Sequence, residues 1–174
     1  MGVTRIHIAV IGAAYASASE CEAAEQVGRR IAEAGAVVVC GGLGGVMEAA
    51  CRGARAAGGT TVGILPGTDR FDANDYVDVA VPTGIGEARN AVVVATADAV
   101  VAVGGEFGTL CEIALALKAG TPVIGFHTWE LARPGKAVEG IEAVDSPEVA
   151  AAVALERATT RVALRLRARS GPTP

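Results

Sequence analysis

The chain is 174 residues long, enough for one domain, and 51% of it is hydrophobic although aromatics make up only 3%, so any core must be built from Val, Ala, Ile and Leu. The net charge of −4 is uneven: up to Glu156 ten Lys and Arg stand against nineteen Asp and Glu, and five arginines follow with no acid. An acidic body argues against nucleic acid as a partner, and no apolar run reaches the length of a membrane span, which excludes a membrane-spanning helix.

Arg5, an apolar run and Ala14-Tyr15-Ala16 imitate a secretory signal with its cleavage site. Residues 6–11 are better used as the first strand of a fold, so a cytoplasmic chain is expected. The myristoylation pattern fails because position 6 is Ile rather than Ser or Thr. After the turn Gly12-Ala13-Ala14-Tyr15, Ser17 and Glu20 form a capping box for a helix with Ala24, Val27 and Ile31 on one face. Residues 37–40 are a second strand, running into Cys40-Gly41-Gly42-Leu43-Gly44-Gly45-Val46-Met47. The helix from Gly45 carries Met47, Ala50, Cys51 and Ala54 on one face and stops at Gly58-Gly59.

Residues 61–65 are a third strand, closed by Pro66-Gly67. A polar loop over 68–78 holds Asp69, Asp72, Asp75 and Asp78; a strand over 79–81 follows, and a helix starts near Gly86. Residues 99–103 are apolar at every position, as in a strand covered on both faces. They run into Gly104-Gly105-Glu106-Phe107-Gly108-Thr109 and a helix that carries Leu110, Ile113, Ala114 and Leu117 and stops at Gly120. Residues 122–126 are the next strand, 127–140 a loop with Pro134-Gly135, and 141–144 a last short strand. Ser146-Pro147-Glu148 starts a final helix, with Ser as cap and Pro at the first position. From residue 159 the basic tail reads as a frayed end to a domain over 1–158. This alternation predicts an α/β fold, a single Rossmann-like doubly wound parallel sheet with helices on both faces.

Cys21, Cys40, Cys51 and Cys111 show no C-x-x-C spacing and no clustering with histidine. They are expected as small buried residues in a reducing compartment, and no metal site is expected. The first turn lacks G-x-G-x-x-G, and the second strand ends in Cys40 rather than an acid, which argues against NAD or FAD. Lys118 at a helix end and Lys136 in a loop are poorly placed for a Schiff base. His7 reads as a core residue inside a strand and His127 as a loop position.

A strand that turns on glycines into a helix presents unpaired N–H groups at the positive end of the helix dipole, an arrangement that binds phosphate. Two such turns suggest a ligand with a phosphate at one end and another group at the other. Gly41, Gly42, Gly44, Gly45 and Met47 form one candidate wall; Gly104, Gly105, Glu106, Phe107, Gly108 and Thr109 form the second. The Thr109-x-x-Glu112 spacing reads equally as a capping box and as a carboxylate in the site. Arg89 falls in the first turns of a helix, where a cation is unfavourable, which argues for an anionic partner.

At these residues the chain resembles the LOG (Lonely-guy) family, long misnamed lysine decarboxylases. Its members share a Rossmann-like fold, a G-G-G-x-x-G-L-M-type turn and a P-G-G-x-G-T-x-x-E motif preceded by an Arg-Lys pair. The resemblance spans residues 6–126. It implies a phosphoribohydrolase that releases an adenine-type base from a nucleoside 5′-monophosphate, with Glu112 and Arg89 as the catalytic residues. Cleavage of an N-glycosidic bond builds positive charge on the ribose, which a carboxylate stabilises.

The departures are Gly104 for the motif proline, Glu106 for its second glycine and Asn90 for the lysine. A carboxylate at 106 repels a phosphate unless it points away. With them the chain looks closer to a shorter branch, some of whose members resemble molybdenum-cofactor carrier proteins that bind a phosphorylated pterin without a clear reaction. The expected function is binding of a phosphorylated nucleotide-like ligand with N-glycosidic hydrolysis. The alternative is a non-catalytic carrier of a pterin-type molybdenum cofactor. No cofactor is required; a nucleotide or molybdopterin-type ligand is the expected occupant. A homodimer or larger homo-oligomer is expected by analogy and from the Ala- and Val-rich helices.

Overall fold

The structure, a computed structural model, describes residues 5–169. In chain order the strands are β1 (His7–Gly12), β2 (Val37–Cys40), β3 (Thr60–Leu65), β4 (Val79–Pro82), β5 (Ala99–Val103), β6 (Val123–Phe126), β7 (Ala132–Arg133), β8 (Lys136–Ala137) and β9 (Ile141–Ala143). The helices are α1 (Ala18–Glu33), α2 (Val46–Ala56), α3 (Asn90–Thr96), α4 (Phe107–Lys118) and α5 (Pro147–Arg169). Seven strands form one parallel sheet in the order β4-β3-β2-β1-β5-β6-β9. β7 and β8 pair as a small antiparallel hairpin inside the segment read as a loop.

Alternation along the central strands divides the core between the two faces of the sheet. Ile8 and Val10 pack with α1, α2 and α5, together with Val38, Val101 and Val103. Ala9 and Ile11 face the other way and pack with Val93, Val94, Ile113 and Ala116 of α3 and α4. β5 is buried at every residue, as its unbroken apolar run requires. The doubly wound prediction therefore holds. The chain builds outward from β1 to β4, then returns to lay β5 on the other side of β1, in register from Ile8↔Ala99 to Gly12↔Val103. That reversal opens a crevice beyond the carboxyl ends of β1 and β5.

Some expectations need correction. The helix expected near Gly86 is split into a 3-10 turn, Gly86–Arg89, and the short α3. The segment from 159 to 169, read as frayed, continues α5. Arg161 donates to the Gly120 carbonyl and Arg165 lies 3.8 Å from Asp98, so distant loops hold that end of the helix. Residues 170–174 of the tail lie outside the described residues. Cys40 and Cys51 are buried as expected, but Cys21 is half-buried and Cys111 is exposed. Among the described residues no helix is long and apolar enough to cross a membrane.

Candidate functional site

The crevice holds a cavity of about 190 Å³. Its walls are the turn after β1 (Gly12, Ala13, Ala14), the first glycine turn and α2 (Gly41, Leu43, Met47), the segment entering α3 (Glu87, Arg89, Asn90) and the start of α4 (Glu106, Gly108, Thr109, Glu112).

Arg89 is only 6% exposed and Asn90 3%. Neither Arg89 Nε nor Asn90 Oδ1 has a hydrogen-bond partner. A buried polar atom left unpaired costs about 1–3 kcal/mol, and both belong to residues of the cavity lining, so this wall is where water or a ligand can offset that cost. Gly41 makes room for the arginine: a Cβ there would come within 2.9 Å of Arg89 Nη2 and 2.8 Å of Met47 Sδ.

Glu112 is 7% exposed. Burial pushes its carboxyl up to about 7, with Arg89 pulling it down and Glu87 pushing it further up. A carboxyl poised near neutrality can donate or accept a proton or hydrogen bond in the cleft. The capping-box alternative for this residue does not form. α4 begins at Phe107 with Glu106 as its N-cap and no side-chain capping bond, so Thr109 is the third helical residue rather than the cap.

The second glycine turn divides. Gly108, Thr109 and Glu106 line the cavity, whereas Gly104 and Gly105 border a separate depression with His127, Thr128 and Trp129. The anion held by that part of the turn is the protein's own. The Glu20 carboxylate accepts from the Gly105 N–H, from Ser17 N at 2.8 Å and from Ser17 Oγ at 2.7 Å. Its backbone and side-chain bonds with Ser17 hold that carboxyl below its ordinary range. Gly104 sits at φ +55°, and a Cβ on it would run into Glu20. Phe107 turns outward, 80% exposed, with its ring 5.7 Å from that of Trp129. In the first turn Gly41 and Met47 reach the cavity, while Gly42, Gly44 and Gly45 shape the turn behind them.

Sequence reasoning missed Glu87, Leu43 and the turn after β1 as cavity walls. The signal for the last was present: β1 precedes the reversal in strand order, so its carboxyl end must face the crevice.

The SLOG cluster4 family model matches residues 5–156. An uncharacterized protein of Archaeoglobus fulgidus is 41% identical over 145 residues, which are 83% of this chain and 91% of that protein. Among solved structures, the molybdenum cofactor binding protein of Rippkaea orientalis is similar with a TM-score of 0.81 at 36% identity, covering 91% of this chain and 99% of that one. The molybdenum cofactor carrier protein of Chlamydomonas reinhardtii is similar with a TM-score of 0.79 at 32% identity, covering 90% and 99%.

Proposed function

This chain belongs to the SLOG cluster4 family, and on that premise we propose that it binds a phosphorylated pterin of the molybdenum-cofactor type in the β1/β5 crevice, as a carrier. The observation that carries the reading is Arg89, a buried cation in the cavity lining whose Nε lacks a partner, in a chain similar to solved proteins that bind or carry that cofactor. The donor set fits such a cargo. Arg89 suits a phosphate; Asn90, Thr109 and the carboxylates suit a polar heterocycle. Among the described residues no group of three His, Cys, Asp or Glu could hold a metal ion, so the reading has the protein gripping the organic part of the cargo. It includes self-association through the outer faces of α3 and α4.

A test is anaerobic purification followed by oxidation and fluorescence detection of bound pterin. Pterin on the wild type and its loss from Arg89→Ala is the expected result; a pterin-free wild type that also fails to take up added cofactor would refute the reading.

A second reading is favoured by Glu112, whose carboxyl titrates near neutrality beside Arg89. In a phosphoribohydrolase, an ionised Glu112 would stabilise the charge that develops on the ribose as the N-glycosidic bond breaks. Mass spectrometry for free base and ribose 5-phosphate, after incubation with plain and N6-substituted nucleoside 5′-monophosphates, tests it. Release that Glu112→Gln abolishes would establish the hydrolase; no release at high enzyme concentration leaves the carrier.

A further inference from the structure

We infer that Glu106 selects the ring of the ligand, accepting two hydrogen bonds from the adjacent N–H donors of a 2-amino-4-oxo heterocycle. The inference rests on the proposed cargo and adds which ring edge the site reads, and with which residue. It starts from the balance of groups around the cavity. The cavity lining holds one cation, Arg89, and three carboxylates: Glu87 and Glu106, which are exposed, and Glu112, which is buried. A ligand that was only an anion would satisfy Arg89 and leave the carboxylates repelling it. An ionised carboxylate is acceptor-only, so a ligand that fits this cavity must also present donors.

The carboxylates are not equivalent. Glu87 and Arg89 both act on Glu112, so these three form one electrostatic cluster. Glu106 projects instead from the N-cap of α4 and makes no capping bond there. Among the described residues its carboxylate has no ion-pair or hydrogen-bond partner. It is thus an exposed acceptor in the cavity lining that no protein group engages, able to exchange water for a ligand's donors, while Arg89 lies buried in the same lining with its Nε unpartnered. A ligand with a phosphate at one end and paired N–H donors at the other answers both. Pterins and guanine carry such an edge, a ring N–H beside an exocyclic amino group, which matches the two oxygens of a carboxylate. Adenine carries one amino group flanked by ring acceptors and does not.

Two probes of the same size and charge isolate this contact: 6-hydroxymethylpterin monophosphate and its 6-hydroxymethyllumazine counterpart, in which a carbonyl replaces the 2-amino group. Titration calorimetry on the full chain should show the pterin binding at least about tenfold tighter to the wild type, the discrimination expected of one bidentate pair. Glu106→Gln, which can also pair with a carbonyl, and Glu106→Ala should both bring the ratio close to one, while Arg89→Ala weakens both probes alike and keeps the ratio. Equal binding of the two probes by the wild type, or a ratio unchanged in the Glu106 variants, overturns the inference while leaving the carrier reading in place. If neither probe binds the wild type, the carrier reading falls and the inference with it.

Discussion

Glu112 and Arg89 are each almost sealed from water without forming a direct ion pair among the described residues. That arrangement has a measurable cost. The folded state holds the Glu112 proton up to about pH 7, whereas an unfolded carboxyl releases it near 4.5. Between those values the native protein binds more protons than the unfolded one, so stability falls as pH rises through that window and levels off above it. The whole effect is of the order of 3 kcal/mol. Urea unfolding at pH 4.5 and pH 8 should show Glu112→Gln gaining stability relative to the wild type at the higher pH. A difference that does not change with pH would mean that Glu112 titrates normally. Arg89→Ala removes a charge-assisted contact worth about 1.5–3 kcal/mol, so affinity for a phosphorylated pterin should fall roughly 10- to 150-fold in direct titration. Unchanged affinity would take Arg89 out of the site. Both residues were legible in the sequence through motif spacing. Their lack of hydrogen-bond partners was not, because it depends on what the fold brings beside them.

At the scale of elements, the amino end of α1 and the second glycine turn are a single structure. Ser17 caps α1 and accepts the Glu20 N–H at 3.3 Å, while Glu20 reaches back to Ser17 and across to Gly105. Ser17→Ala should cost about 1 kcal/mol at pH 7, the usual value of a lost cap. Because the Ser17 bonds depress the Glu20 carboxyl, that cost should shrink as pH falls through the carboxylate range. Thermal unfolding at pH 7 and pH 3 checks both parts, and a pH-independent cost would remove Glu20 from the account.

The box itself was legible at its short spacing; its tie to Gly105 was not, since the two segments lie far apart in the chain. The same limit explains the start of α4. Thr109 has the hydroxyl of a cap, yet Gly104 and Gly105, at φ +55° and +111°, turn the chain early enough for the helix to begin at Phe107. It also explains the end of α5, which rests on Asp98 and Gly120, residues that no local pattern in the tail could reveal.

Across the whole molecule, strand order decides where chemistry can sit. The alternation of strands and helices was legible because apolar period and glycine stops are local signals, and the crevice follows from the reversal between β1 and β5. α3 and α4 wall that crevice from one side and present a second face to the exterior. Ala91, Val92 and Ala95 of α3 and Phe107, Cys111 and Ala114 of α4 are exposed, and Lys118 is the only charge on the outward positions of these two helices. An exposed helix normally carries charge on its outer side, and one that is apolar on both sides is usually covered.

For the proposed self-association, a second copy of this face, apolar apart from Lys118, is the partner, with α3 and α4 of one protomer covering those of the other about a two-fold axis. Val92→Glu would place two carboxylates in that contact. Light scattering should then show a dimer or larger assembly for the wild type and a monomer for the variant, with unchanged far-UV circular dichroism. Because α3 begins at Asn90 and α4 carries Thr109 and Glu112, dissociation should also weaken pterin binding without any change to a cavity residue. A monomeric wild type, or a Val92→Glu variant that remains associated, would move the contact away from this face.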